Sequence, residues 1–310
     1  MKKLVIALIV FAFAKAATAQ QDPQYSQYMY NPVVINPAYA GNRGVASIVG
    51  LHRSQWVGLE GAPRTQTLSF HTPILNSRVG LGVSIVNDAL GPTDETYATA
   101  DFSYTLPMSY NSNLSFGIKG GVRTLNIDFD QLNARDQNDD LLRNLDNDIA
   151  PQVGVGAYYH TDKFYVGLST PNLLQTDHYD PENRNGTTTF IARERIHYFA
   201  AAGYVFDLND NVKFKPSTLI KAVAGTPLQV DVTANFLFSE RLTLGAAYRV
   251  SAAVTGLVGF QVNDQMLIGF AYDRETTELG NSVYNDGSYE LFLRFELFKS
   301  YDKVVTPRFF

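Results

Sequence analysis

The chain contains no cysteine among its 310 residues. That absence excludes disulfide staples, thiol nucleophiles and thiolate metal sites. Positive charge is not in excess either. The formal net charge is −5, which leaves no basic footprint for nucleic acid. Beyond the first residues, no apolar run approaches the roughly 20 residues that a membrane helix needs. There is one Trp, but 18 Tyr and 20 Phe. Such an aromatic-rich, helix-poor chain is either a soluble β protein or a membrane β-barrel.

The first residues assign the compartment. Lys2 and Lys3 precede "LVIALIVFAFA", and "AATAQ" places Ala17 and Ala19 at the −3 and −1 positions of a cleavage site. This is a secretory signal peptide over residues 1–19, expected to be cut after Ala19. Phe309 and Phe310 close a short C-terminal tail, residues 299–310, and resemble a terminal aromatic assembly signal.

What dominates the mature chain is period-two alternation. In "SYELFLRFELF", Tyr289, Leu291, Leu293, Phe295 and Leu297 point one way, while Glu290, Arg294 and Glu296 point the other. Phe292 is the misfit. In "RLTLGAAYRV", Leu242, Leu244, Ala246 and Tyr248 oppose Thr243, Gly245, Ala247 and Arg249. In "RVGLGVSIV", Val79, Leu81, Val83 and Ile85 oppose Gly80, Gly82 and Ser84. One face is apolar and aromatic, and the other is polar, charged or Gly.

About fourteen segments of roughly nine to fifteen residues can be counted, close to the 9–11 residues of a tilted membrane strand. They start near Gly44, Arg64, Arg78, Glu95, Ser112, Ala150, Lys163, Arg193, Asn211, Pro227, Arg241, Val254, Gln265 and Ser288. Their connections alternate between tight turns (74–77, 108–111, 161–162, 208–210, 239–240, 263–264) and longer stretches (88–94, 128–149, 172–192, 274–287). Short periplasmic turns with longer outer loops are the outer-membrane pattern. An open sheet edge in lipid leaves backbone groups unpaired at several kcal/mol each. The first strand is therefore expected to pair with the last, residues 288–298. The predicted fold is an all-β, transmembrane antiparallel β-barrel of about 14 strands over residues 44–298, located in the outer membrane.

Residues 20–43 precede the barrel as a periplasmic or plug segment. Within them, Pro23, Pro32 and Pro37 deny the stretch a central strand, and the two "NP" pairs favour turns. Tyr25, Tyr28, Tyr30, Asn31, Pro32, Asn36, Pro37 and Tyr39 are the candidate contacts, either to a plugged lumen or to a periplasmic partner. A barrel of this strand number is too wide for wall side chains alone to fill. Lys119, Arg123, Arg241, Arg249, Arg294, Glu290 and Glu296 are expected on the inner face, where they either line a pore, pair with each other or hold a plug.

Chemistry is sparse. His52, His71, His160, His178 and His197 form no HxH or HExxH spacing. "GLG" and "GVG" lie within strands without a following helix, so they are not phosphate loops; their Gly residues relieve crowding on the inward face. The Asp-rich stretch 128–148 lacks the spacing of a Ca²⁺ loop and reads as a solvated surface loop. No cofactor is implied, and no enzyme. Trp56 falls late in the first strand, with an interface belt and simple aromatic packing as its two readings.

Finally, "QDPQYSQYMYNPVVINPAYAG" (21–41), "RSQWVGLEGAPRTQTLSFHTPI" (53–74), "VGLGVSIVNDALGPT" (79–93) and "TPRFF" (306–310) occur in that order. This set resembles the PorP/SprF family of Bacteroidota membrane proteins. The resemblance implies an outer-membrane barrel linked to the type IX secretion system. It would support the export or surface attachment of a cargo such as a gliding-motility adhesin. Its partners would be outer-membrane lipid and either secretion machinery or a large secreted surface protein, with no nucleic acid. A channel for small or hydrophobic solutes is the alternative.

Overall fold

The computed structural model describes residues 25–74, 78–131, 144–175, 177–180, 189–193 and 195–297. The expected signal peptide (residues 1–19), residues 20–24, most of the acidic stretch and the terminal Phe309 and Phe310 lie outside the described residues.

The wall runs, in chain order, through β1 (Ala46–Ser54), β2 (Arg64–Ile74), β3 (Val79–Leu90), β4 (Thr93–Ser109), β5 (Ser112–Ile127), β6 (Leu145–Thr161) and β7 (Phe164–Thr170). A small hairpin, β8 (Asp177–Asp180) with β9 (Thr189–Arg193), forms its own two-stranded sheet. The wall resumes with β10 (His197–Tyr204), β11 (Phe206–Asn209), β12 (Val212–Val223), β13 (Gln229–Phe238), β14 (Leu242–Arg249), β15 (Ala253–Gln261), β16 (Met266–Glu275) and β17 (Ser288–Leu297). β10 and β11 are one stave broken at Val205, since both pair with β12. The barrel therefore has 14 staves, each antiparallel to its neighbours. It closes where β1 meets β17, in register from Ala46↔Leu297 to Ser54↔Tyr289. Closure leaves no wall edge unpaired, as a lipid environment demands.

The alternation predicted from sequence orients every stave. On β3, Leu81, Val83 and Ile85 are exposed on the outside, while Gly80, Gly82 and Ser84 are buried inside. On β17, Leu291 and Leu293 face out, and Glu290, Arg294 and Glu296 face in. The exposed Leu, Val, Ile and Phe side chains form the lipid-facing band. Near the tight turns, Tyr204, Phe206, Phe214, Phe236 and Phe238 follow one another across three staves, with ring centroids 4.6–6.4 Å apart. Phe270, Tyr272 and Tyr289 cluster nearer the loop side. Such aromatic girdles suit the two membrane interfaces.

Four expectations are corrected. Residues 88–94 are not a long connection: Leu90 pairs with Thr93, and only Gly91 (φ 56°) and Pro92 turn. The positive φ suits Gly, so the strands zip up to the turn itself. β4 and β6 reach 17 residues each, well beyond what a bilayer needs, so their loop-side ends stand clear of it. Trp56 is in the loop after β1, at φ 47°, rather than in the strand. Arg241 lies in the turn between β13 and β14 and is exposed, so it does not line the interior.

Candidate functional site

Residues 25–43 lie inside the barrel, against the polar face of the wall. They do not form a strand, for the reason the sequence supplied: Pro32 and Pro37 lack a ladder donor. Instead they make three short 3₁₀ turns, Tyr28–Tyr30, Pro32–Val34 and Pro37–Tyr39. Pro stands at the start of two of them, where its fixed φ fits and its missing N–H costs nothing. Asn36 caps the third: its Oδ1 accepts from the Ala38 N–H at 3.0 Å, while its Nδ2 donates to the Ala157 carbonyl on β6 at 3.1 Å.

The eight residues singled out from sequence come together here. Tyr25 meets the Thr67 hydroxyl at 2.9 Å. Tyr28 is buried with Met29 against Phe199 and Leu219. Tyr30 stacks on Phe292, centroids 4.2 Å apart. Asn31 Oδ1 accepts from the Ser69 hydroxyl at 2.8 Å. Tyr39 stands edge-on to Tyr158 and His71, at 5.3 and 5.7 Å. Asn36 and Pro37 are buried, and Pro32 is half-buried.

The wall is shaped to receive this segment. A Cβ at Gly117 would collide with the backbone of Pro37 and Ala38, and one at Gly80 with the Ala40 carbonyl. Gly80 of the "GLG" string thus admits a close-packed backbone, and Gly156 of "GVG" leaves room for the Asn36 side chain. Phe292, the misfit in the alternation, is fully buried because it packs on the segment rather than facing water. Leu51 and Leu267 are inward-facing apolar residues of the same cluster. A few apolar side chains on an otherwise polar face are the signal that could have located this contact from sequence.

The inner charges are paired. Arg53 Nη1 lies 2.6 Å from Asp273 and 3.1 Å from Glu290, all three side chains essentially fully buried. The two Glu290 oxygens also accept the backbone N–H groups of Ser26 and Gln27, at 2.8 and 2.9 Å. The Ser26 hydroxyl donates to Asp273 at 2.5 Å and accepts from Arg53 at 2.7 Å. Hydrogen bonds on every partner are what makes a buried ion cluster tolerable, because each ion taken from water costs several kcal/mol. Sequence reading named Glu290 but missed its partners Arg53, Ser26 and Gln27. They lie up to 264 residues away in the chain.

Elsewhere in the barrel, Lys119 binds Asp101 at 2.8 Å and reaches the Val33 carbonyl at 3.5 Å. Arg249 pairs with Asp231 at 3.0 Å, Arg123 with Glu95 at 3.5 Å, and Arg294 with Glu296 at 3.2 Å. Arg43, which precedes β1, also binds Glu296, at 2.5 Å. Burial works against the charged Arg43 guanidinium, but Glu296 beside it prevails and holds its pKa above the ordinary value. The voids beside the segment include two of about 40 and 60 Å³, each large enough for a few waters.

The histidines serve this packing. His71 Nδ1 accepts from the Gly41 N–H at 3.3 Å, and His160 Nε2 bonds Asn42 Oδ1 at 3.0 Å. His197 is buried beside Phe199. His52 faces outward with Ser54; the His178 side chain lies outside the described residues. In the acidic stretch, Asp128 accepts from the Asp130 N–H, and Asp130 from Asn144. Among the described residues, no group of three or more His, Asp or Glu stands ready to hold a metal ion.

Among solved structures, the chain is similar to the Acinetobacter baumannii outer membrane protein Omp33, at 10% identity and TM-score 0.48, over 82% of this chain and 98% of that one. It is similar to the Ralstonia pickettii toluene transporter TbuX, at 11% identity and TM-score 0.48, over 87% and 92%. A third is the CymD monoaromatic hydrocarbon channel, at 10% identity and TM-score 0.48, over 88% and 93%. No curated protein sequence matches significantly. The family described as type IX secretion system membrane protein PorP/SprF matches residues 17–295. A closed barrel with a lipid-facing apolar band and that match together make this chain an outer-membrane member of the PorP/SprF family of type IX secretion system proteins.

Proposed function

We propose that this barrel is a sealed docking platform that supports the secretion or surface attachment of a type IX cargo, such as a gliding adhesin, through protein–protein contact. The observation that supports it most is the occupied lumen. Residues 25–43 fill the interior through buried hydrogen bonds, and the inner charges that would otherwise attract solutes are spent on one another or on this segment. A barrel closed in this way offers its loops and rims, rather than a pore, as the working surface. The partner is a component of the secretion machinery or a large secreted surface protein.

The test is a gene deletion with proteomics of the medium and the cell surface. Loss of one or a few type IX cargos, restored by the wild-type chain, is expected. Normal display of every cargo would overturn the docking reading. Planar-bilayer recording of the purified barrel is expected to give no steady conductance. A stable open pore in the wild-type protein would instead favour solute transport.

A further inference from the structure

The outer wall carries a recess that the contacts of the inner segment do not explain. On the outward faces of β17, β1, β2 and β3, side chains stand in cross-paired rows. One row is Leu293, Gly50, Leu68 and Ile85. The next row toward the loops is Leu291, His52, Gln66 and Asn87, and the one after it is Tyr289, Ser54, Arg64 and Ala89. An apolar row thus gives way, within two steps along the strands, to rows carrying His, Gln, Asn and Arg. Tyr289 belongs to the aromatic cluster nearer the loops, so the change falls where hydrocarbon gives way to headgroups. Gly50 leaves the apolar row incomplete. A Cβ there would meet nothing within 4 Å. The result is a recess of about 430 Å³, lined by Gly50, Leu68, Ile85, Leu291 and Leu293 and, toward the loops, by His52, Gln66 and Asn87.

A second chamber, of about 590 Å³, continues from it toward the loops, and His52 and Gln66 line both. Its other walls include Arg64, Ala89 and the loop between β1 and β2. That loop is held on two sides. The Gly61 carbonyl accepts from the Gly91 N–H, in the β3–β4 turn, at 2.8 Å. The Val57 N–H donates to the Gly287 carbonyl at 2.9 Å, and the Val57 carbonyl accepts from the Asp286 N–H at 2.8 Å, both in the loop before β17. A Cβ at Gly58 would strike the Tyr284 carbonyl, so these two loops pack backbone to backbone. The chamber is therefore a preformed notch on the outside of the barrel. Glu60 and Arg64 both line it and are both exposed.

We propose that the notch is a binding site for one phospholipid-like amphiphile of the loop-side leaflet. Its chain lies in the recess at Gly50, its phosphate meets Arg64, and the hydrogen-bond donors of its headgroup meet Glu60. The recess is continuous with the lipid-facing band, so a chain enters it without leaving hydrocarbon. Along the notch, Leu and Ile give way to His and Gln and then to Arg and Glu, the order in which a lipid passes from chain to headgroup. One guanidinium beside one carboxylate suits a headgroup carrying both a phosphate and an ammonium. Arg presents a rigid fork of N–H donors to phosphate, while an ionised carboxylate only accepts. The site lies outside the barrel, so it stands whichever protein the barrel docks.

The test titrates the purified barrel with dioleoyl phosphatidylethanolamine and, separately, dioleoyl phosphatidylcholine, counting bound lipids by native mass spectrometry. The two lipids share chains, phosphate and net charge, but only the ethanolamine headgroup has N–H donors. Wild type is expected to hold one phosphatidylethanolamine about tenfold more tightly than phosphatidylcholine. Glu60→Ala should bring the two lipids to within about twofold of each other. Arg64→Gln should weaken both, as should Gly50→Leu, which fills the recess. Arg78→Gln, which removes an exposed cation beside a tight turn, should change neither. Heat-modifiable gel mobility checks folding, and the three site variants report separately should one fail to assemble. Equal binding of the two lipids by wild type would overturn the proposal, as would an undiminished preference in folded Glu60→Ala. So would an equal loss in Arg78→Gln and Arg64→Gln. Displacement of the lipid by glycerol 3-phosphate, which has no chains, would also overturn it and leave a soluble-anion site instead.

Discussion

Glu290→Ala tests the attachment of the inner segment most directly. In the folded protein this carboxylate does three things: it shares the Arg53 guanidinium with Asp273 and satisfies the N–H groups of Ser26 and Gln27. Alanine leaves Arg53 with Asp273 at 2.6 Å, so the guanidinium is not stranded. Two buried N–H donors, however, lose their acceptor. Each orphaned buried donor costs about 1–3 kcal/mol, so the segment's upper attachment weakens by at least ~2 kcal/mol. That is about thirtyfold or more in the ratio of released to docked states. The wall loses no ladder bond, so the barrel is expected to persist. Chymotrypsin is the assay, because Tyr25, Tyr28 and Tyr30 are cleavage sites buried in the docked state. Glu290→Ala is expected to be cut in this region at least tenfold faster than wild type while keeping the mobility of a folded barrel. It should also show intermittent conductance in bilayers. A folded Glu290→Ala barrel with wild-type protease resistance and no conductance would refute the idea that this carboxylate holds the segment.

Other expectations follow from the same contacts. Phe292→Ala removes the ring beneath Tyr30 and is expected to cost about 3–5 kcal/mol, read as a lower thermal unfolding midpoint in detergent. Gly117→Ala drives a Cβ into the Pro37–Ala38 backbone, whereas Gly120→Ala meets nothing within 4 Å. The first should lose about 1–3 kcal/mol and the second almost nothing, compared by denaturant unfolding. Leu293→Arg places a charge in the lipid-facing band at about 2–4 kcal/mol near the bilayer midplane. Its assembled fraction in outer-membrane extracts should fall, while Arg241→Ala, in an exposed turn, should assemble normally.

The wall was legible in the sequence because its physics is local. A stave in lipid must put apolar atoms outside, and period two writes that demand onto consecutive residues. The starts read from the pattern fall within a few residues of the observed ones at Arg64, Ser112 and Ser288. The weakest start, near Ala150, misses β6 by five residues, because above the bilayer the alternation no longer has to be apolar. The 88–94 turn was misjudged for the same reason: Asn87, Asp88 and Asp94 are polar although they are paired.

The inner segment was legible only as a list of residues. Tyr, Asn and Pro without periodicity marked residues 25–39 as something other than a strand, and the two Asn-Pro steps marked their turns. Residue types and their spacing by themselves determined the disulfide-free, all-β barrel. Where the segment lies and which wall charges it uses were decided by tertiary structure. Arg53, Asp273, Glu290 and Ser26 become neighbours only when the first stave closes on the last. Nothing local in the chain encodes that closure; it is imposed by the cost of leaving a sheet edge unpaired in lipid.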